Sequence, residues 1–217
     1  MVAAKHVVWD WNGTLYGDAE ALIASTIEAF GTAGLALTPE RYRRMHTQPI
    51  DEFYDRLFGG PVPDGTRRSL HAAFAAAYAR RQPELRLSPG TRDSLRQTAE
   101  LGLSQSVLSM HPHDRLLGLV VRFGIDGYFA RIDGQRGPDA GYKAEHLAGH
   151  LRALGRSGHE VLLIGDSVDD ARAAKEVGAR CVLYASGLHA FDVLEAEGVP
   201  VVESLPAALV AGLRGGA

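Results

Sequence analysis

The chain has 217 residues, 46% of them hydrophobic, enough to bury one sizeable core with room for an inserted subdomain. Its formal net charge of -3 and charged fraction of 23% leave no basic face, which argues against a nucleic-acid partner, because such binding is driven by neutralising phosphates. The lone Cys181 excludes an internal disulfide and a Cys-rich zinc site and suits a reducing compartment.

The first strand is expected over residues 6–10, a short apolar run stopped by an acid. That run is too short for a signal sequence, and no later stretch approaches the roughly 20 apolar residues of a membrane span, so a cytoplasmic protein without a membrane partner is expected. Residues 16–87 carry only helical signals. A helix over 19–33 closes on Gly34, and Thr38-Pro39-Glu40 opens a second. A third over 50–58 stops at Gly59-Gly60, and Asp64 starts an Ala-rich helix through Arg81. Beyond that point, strands at 105–109, 161–165, 180–184 and 200–203 alternate with helices at 112–123, 142–154, 168–177 and 205–213. This alternation predicts an α/β fold with a doubly wound parallel sheet. The core would comprise residues 1–15 and 88–217, with a small all-helical cap, residues 16–87, inserted after the first strand. Such an insertion would sit over the C-terminal edge of the sheet, where ligands bind in open α/β folds. No segment marks an oligomer interface; residues 205–213 read as the last helix on the sheet.

Two motifs carry chemistry. Val7-Val8-Trp9-Asp10-Trp11-Asn12-Gly13-Thr14-Leu15 delivers a carboxylate from the end of a buried strand into a Gly-containing turn, where backbone N–H groups and acidic oxygens suit an anion and a hard cation. Alone, it reads equally well as an Asp stopping a strand before an Asn-Gly turn. Val161-Leu162-Leu163-Ile164-Gly165-Asp166-Ser167-Val168-Asp169-Asp170 repeats the arrangement, and its acids could simply cap a helix. Two strands bringing carboxylates to one sheet edge are harder to explain by capping and point to Mg2+.

The order and spacing of Asp10-x-x-Gly13-Thr14-Leu15, Ser109, Lys143 and Gly165-Asp166-Ser167-x-x-Asp170 resemble the four motifs of the haloacid dehalogenase-like superfamily, and the helical insertion is similar to the cap of its phosphoglycolate phosphatase-like members. The resemblance implies a Mg2+-dependent phosphatase acting on a small phosphorylated substrate. Asp10 would be the nucleophile that forms an aspartyl-phosphate, Ser109 would hold a phosphoryl oxygen, and Lys143 would neutralise charge. Asp10, Asp166, Asp170 and the backbone carbonyl of Asn12 would serve the metal, with Asp169 left as a solvated first-turn acid.

The resembling phosphatases carry a second Asp where this chain has Asn12, and an amide cannot exchange a proton at neutral pH. The substitution predicts weakened turnover, least for acyl or aryl phosphates with good leaving groups, and predicts a strong gain from Asn12→Asp. His111, at an expected helix start, is the nearest surrogate acid in the sequence, though an exposed or capping role is the commoner fate of such a His. The alternative is a catalytically impaired phosphate-ligand-binding or interaction protein on the same fold. A phosphonate hydrolase would need a cap lysine for imine chemistry, and residues 16–87 contain no Lys. Arg43, Arg44, His46 and Gln48 are the polar candidates for substrate contact, about one in four of which should reach it.

Overall fold

The structure, a computed structural model, describes residues 4–137 and 141–214; the outermost residues assigned to the core, 1–3 and 215–217, and residues 138–140 lie outside it. In chain order the elements are β1 (His6–Trp9), α1 (Ala19–Thr32), α2 (Pro39–Met45), α3 (Ile50–Phe58), α4 (Asp64–Arg81), α5 (Thr91–Glu100) and β2 (Ser104–Pro112). They continue with α6 (His113–Arg122), β3 (Arg131–Gln135), α7 (Lys143–Ala153), β4 (Val161–Gly165), α8 (Val168–Val177), β5 (Arg180–Tyr184), α9 (Phe191–Glu195), β6 (Val201–Val202) and α10 (Leu205–Arg214). No helix among the described residues is long and apolar enough to cross a membrane.

The six strands form one sheet in the order β3-β2-β1-β4-β5-β6, and every pair is parallel. Alternate residues of each strand feed opposite faces. Val7, Trp9, Val107, Leu162 and Ile164 pack with Leu95 of α5, Leu116 of α6 and Leu209 of α10. Val8, Leu108, Leu163, Cys181 and Leu183 pack with Leu147 of α7 and Ala174 of α8. Burial on both faces explains why β1, β4 and β5 read as unbroken apolar runs rather than alternating ones. Each such Val, Leu or Ile contributes roughly 1.5–3 kcal/mol on leaving water.

Local signals set the helix ends. Thr38 Oγ1 accepts from Arg41 N at 3.2 Å with Pro39 behind it. Gly59 and Gly178 close α3 and α8 in the left-handed conformation. At the start of α8, Ser167 and Asp170 cap each other's backbone N–H groups.

Three elements escaped the sequence reading. β3 contains one apolar residue, Ile132, and is half-buried throughout, so the edge of the sheet lacks a hydrophobic run. Helix α5 buries Thr91, Ser94 and Thr98 beside a single Leu95, so small polar residues occupy the face where a hydrophobic period was sought. Short α9 buries only Leu194. In addition, β2 runs on to Pro112, placing His111 in a strand rather than at a helix start.

Helices α1 to α4 gather around their own apolar cluster, with Ile23, Phe30, Tyr42, Phe53, Tyr54 and Leu70 at its centre. Leu188, from the loop after β5, joins that cluster. The chain leaves and re-enters the sheet region through two adjacent strands of backbone: Gly17 N donates to Arg86 O and Ser88 N to Leu15 O, both at 2.9 Å, around the Tyr16–Leu87 bridge.

Candidate active site

The sheet order reverses direction between β1 and β4, the topological switch point where ligands bind beyond the strand ends. Trp9 lies opposite both Val107 and Ile164, so Asp10 leaves β1 within one residue of the level at which Asp166 leaves β4, with Ser109 on the other side of Asp10. Lys143, the first residue of α7, reaches between them. Its Nζ pairs with Asp10 Oδ1 and, at 2.5 Å, with Asp170 Oδ1, and the lysine is 3% exposed. Lys143 is therefore part of the buried carboxylate cluster rather than solvated helix surface. One carboxylate oxygen from each of Asp10, Asp166 and Asp170 lies within 4.8 Å of the others, and all three residues are buried.

Packing this charge out of water has a cost visible in the acids. Burial pushes Asp10 up to about 7, with Lys143 restraining the rise and Asp170 adding to it. Burial, then repulsion from Asp10 and Asp170, holds Asp166 well above the usual carboxylate range. Burial alone would depress the Lys143 ammonium, but Asp10 and Asp170 reverse that and keep it firmly protonated. Three carboxylates against one lysine thus leave negative charge that a divalent cation would offset. All the donors are oxygens, as Mg2+ prefers, so the residues fit that ion. Asp10, Asn12 and Asp166 line the cleft. Asp170 is fully buried: one oxygen faces Lys143, and the other accepts from Ser167 N at 3.0 Å and Ser167 Oγ at 2.6 Å. For Asp170 the capping and the cluster readings both hold.

Glycine permits this closeness at two points. Gly13 has φ +73°, and a Cβ there would collide with the Asp166 carboxylate; one on Gly165 would collide with Asp170. Asp166 is further fixed by Ser186 Oγ at 2.5 Å and Thr14 Oγ1 at 3.4 Å.

Asn12 is held by a residue the sequence reading missed. Asp18, fully buried, accepts from Asn12 Nδ2 at 2.6 Å, from Gly13 N at 2.7 Å and from Tyr78 Oη of α4 at 2.6 Å. Burial pushes its carboxyl up to about 6 despite these donors. The Asn12 carbonyl oxygen in turn faces Ser109 Oγ at 3.5 Å, while that hydroxyl accepts from His111 N at 3.0 Å.

The other candidates divide. His111 lines the cleft, but burial, helped by Arg115, lowers its ring to about 4, so at neutral pH it carries no proton to give as an imidazolium. Asp169 is not solvated: it is 9% exposed and accepts from Lys143 N at 3.3 Å, tying α8 to the first turn of α7. His46 and Gln48 line the cleft. Arg43 instead binds Gly187 O at 2.8 Å and Glu20 at 2.7 Å, and Arg44 pairs with Asp192 at 2.9 Å.

The chain is similar in sequence and fold to known proteins. The family model for haloacid dehalogenase-like hydrolases matches residues 4–178. The phosphoglycolate phosphatase of Agrobacterium fabrum is 24% identical over 210 residues, covering 92% of this chain and 88% of its own, and that of Pectobacterium atrosepticum is 27% identical over 203 residues, covering 90% and 86%. A hydrolase from Pseudomonas syringae has the same fold with a TM-score of 0.79 at 21% identity, covering 100% of both chains. CbbY from Rhodobacter sphaeroides, solved with phosphate, has a TM-score of 0.74 at 22% identity over 97% of this chain and 99% of its own. With the matched region spanning most of its length, the chain belongs to the haloacid dehalogenase-like hydrolase family.

Proposed function

We propose that this hydrolase is a Mg2+-dependent phosphatase that acts on a small phosphorylated compound through an aspartyl-phosphate, on a core of residues 1–15 and 88–217 covered by a cap of residues 16–87. The observation that carries the reading is the position of Lys143 Nζ between Asp10 and Asp170, with Asn12, Ser109 and Asp166 opening into the same cleft.

In this reading an Asp10 oxygen attacks phosphorus, the ester P–O bond breaks, and its electron pair leaves on the organic oxygen. Water then attacks the phosphorus of the acyl phosphate, releasing inorganic phosphate and restoring Asp10. Lys143 favours the ionised form of Asp10 and orients it, and Ser109 donates to a phosphoryl oxygen. Bound by Asp10, Asp166 and the Asn12 backbone carbonyl, Mg2+ would neutralise charge on the phosphoryl oxygens. Asn12 supplies no proton to the leaving oxygen and removes none from the attacking water, a loss worth about 10²- to 10⁴-fold. The names of the related proteins make phosphoglycolate the first metabolite to assay.

Asn12 also favours a second reading, a protein that binds a phosphorylated ligand without turning it over. Acid-quenched peptide mapping after exposure to acetyl phosphate and Mg2+ separates the two. A phosphoryl adduct on the peptide that carries Asp10 supports the phosphatase; saturable binding with an unmodified Asp10 supports the binder.

A further inference from the structure

Resting on that phosphatase reading, we infer that the preferred substrate is a phosphate monoester of an acidic hydroxyl borne on an apolar, ring-sized body, in chemical class an aryl phosphate. Three independent features of the cleft point there.

The first is its size and wall. The cavity holds about 460 Å³, within the range that encloses ligands of several rings rather than a two-carbon acid. The apolar part of its wall is built from Leu22, Tyr42, Ile50, Tyr54, Phe74 and Leu188, contributed by all four helices α1 to α4 and by the loop after β5, beside polar residues that include Gln48, His71 and Gln82. Covering that wall with a ring removes apolar surface from water; a two-carbon phosphoester would leave it wet.

The second is charge. Among the described residues, the permanently charged cations lining the cavity are Lys143 and Arg115. Lys143 is engaged by two carboxylates and Arg115 is exposed. The arginines of α2 and α4 nearest in sequence are engaged elsewhere: Arg43 with Glu20, Arg44 with Asp192, Arg67 with Asp51 and Asp55, Arg81 with Glu28. A second anionic group seated against the apolar wall would lose its hydration without compensation, and would find a cation not held by the carboxylate cluster only at the solvent-exposed Arg115.

The third is Asn12. With no carboxylic acid beside it, the leaving oxygen departs as an anion and takes its proton from water afterwards. A phenol-type oxygen, with a pKa of about 10 like tyrosine's, does this readily. An aliphatic alkoxide resembles hydroxide, whose conjugate acid sits at about 15.7, and does not. The apolar wall and the missing acid therefore select the same leaving group, and the only co-reactant is water.

The test compares initial rates with Mg2+ for 1-naphthyl phosphate, benzyl phosphate, phosphoglycolate and acetyl phosphate, with native protein, Asp10→Asn and Phe74→Ala, alongside calorimetric titration with 1-naphthylmethylphosphonate. The inference expects kcat/KM for 1-naphthyl phosphate to exceed that for phosphoglycolate by about 100-fold or more. Benzyl phosphate should share the low KM but not the high kcat. Phe74→Ala should weaken phosphonate binding and raise KM for the naphthyl ester by about ten-fold more than for acetyl phosphate. Higher kcat/KM for phosphoglycolate, or phosphonate binding indifferent to Phe74→Ala, overturns the substrate inference while Asp10-dependent acetyl phosphate hydrolysis leaves the phosphatase standing. No Asp10-dependent hydrolysis of any of the four overturns the phosphatase reading and the substrate with it.

Discussion

Asn12 Nδ2 donates to the buried Asp18 carboxylate at 2.6 Å, and this fixes the amide with its carbonyl oxygen toward Ser109. A carboxylate at position 12 would stand in the same contact with Asp18, and two carboxylates so close share one proton rather than ionise separately. This geometry predicts a smaller gain from Asn12→Asp than a free acid at that position would give. Asn12→Asp alone is predicted to raise kcat on benzyl phosphate by less than about ten-fold, whereas Asn12→Asp combined with Asp18→Asn, which returns an amide donor to the pair, should raise it by about 100-fold. Steady-state rates of the two single variants and the double variant check this; a double variant no better than the product of the singles contradicts the pairing.

Metal and pH act on the same carboxylates. Asp10 and Asp18 sit near 7 and 6, and Asp166 well above its ordinary value, each raised chiefly by burial. Groups raised in the folded state bind more protons folded than unfolded. Their contribution is fully present below about pH 3.8 and is lost as pH rises through about 7, so the metal-free protein is predicted to lose stability over that window. Mg2+ replaces the missing protons, so it should raise Tm, and by more at pH 8 than at pH 5. Thermal melts with and without Mg2+ at both pH values test this; an equal or larger gain at pH 5 contradicts it.

The buried His6 responds the other way. Its ring bridges Ser104 and Ser106 hydroxyls at 2.7 Å each, and burial, then His150 and Arg156, lower it to about 4. A lowered histidine stabilises the fold above its unfolded pKa of about 6.5 and loses that contribution as pH falls toward 4. His6→Gln, which cannot titrate there, should therefore lose less stability than the native chain between pH 6.5 and 4, read by urea melts at each pH. Parallel losses in the two proteins would contradict the assignment.

Gly13 is predicted to tolerate no side chain. Ala there would adopt φ +73° and drive its Cβ into Asp166, costing about 1–3 kcal/mol in backbone strain alone. Gly13→Ala should lower stability by about that amount and reduce kcat by about 100-fold through displacement of Asp166. A variant with native kcat would show that Asp166 need not sit where it does.

The sequence made the sheet legible wherever strands are buried on both faces: β4 and β5 lie at the residues expected from their apolar runs, and α3 and α8 end at their expected glycines, whereas α4 spans the expected residues with Pro63 rather than Asp64 at its N-cap. The first and fourth motifs led to Asp10 and Asp166 because strand ends on one sheet edge converge by topology. Asp18 was not legible, since six residues beyond Asn12 it reads as an acid before a helix; only the fold brings Asn12, Gly13 and Tyr78 around it. Asp169 was misread for the same reason, because its partner is the backbone of Lys143, 26 residues away in sequence. The apolar wall of the cleft is assembled from four helices whose inward residues individually look like ordinary core.

Asp10 is the residue on which phosphoryl transfer depends. Phosphate release from acetyl phosphate should be measured with and without Mg2+ for the native chain and Asp10→Asn, over many enzyme equivalents. Multiple turnover that requires both the metal and Asp10 is the predicted result; release equal in Asp10→Asn, or none from the native protein, would contradict phosphoryl transfer through this carboxylate.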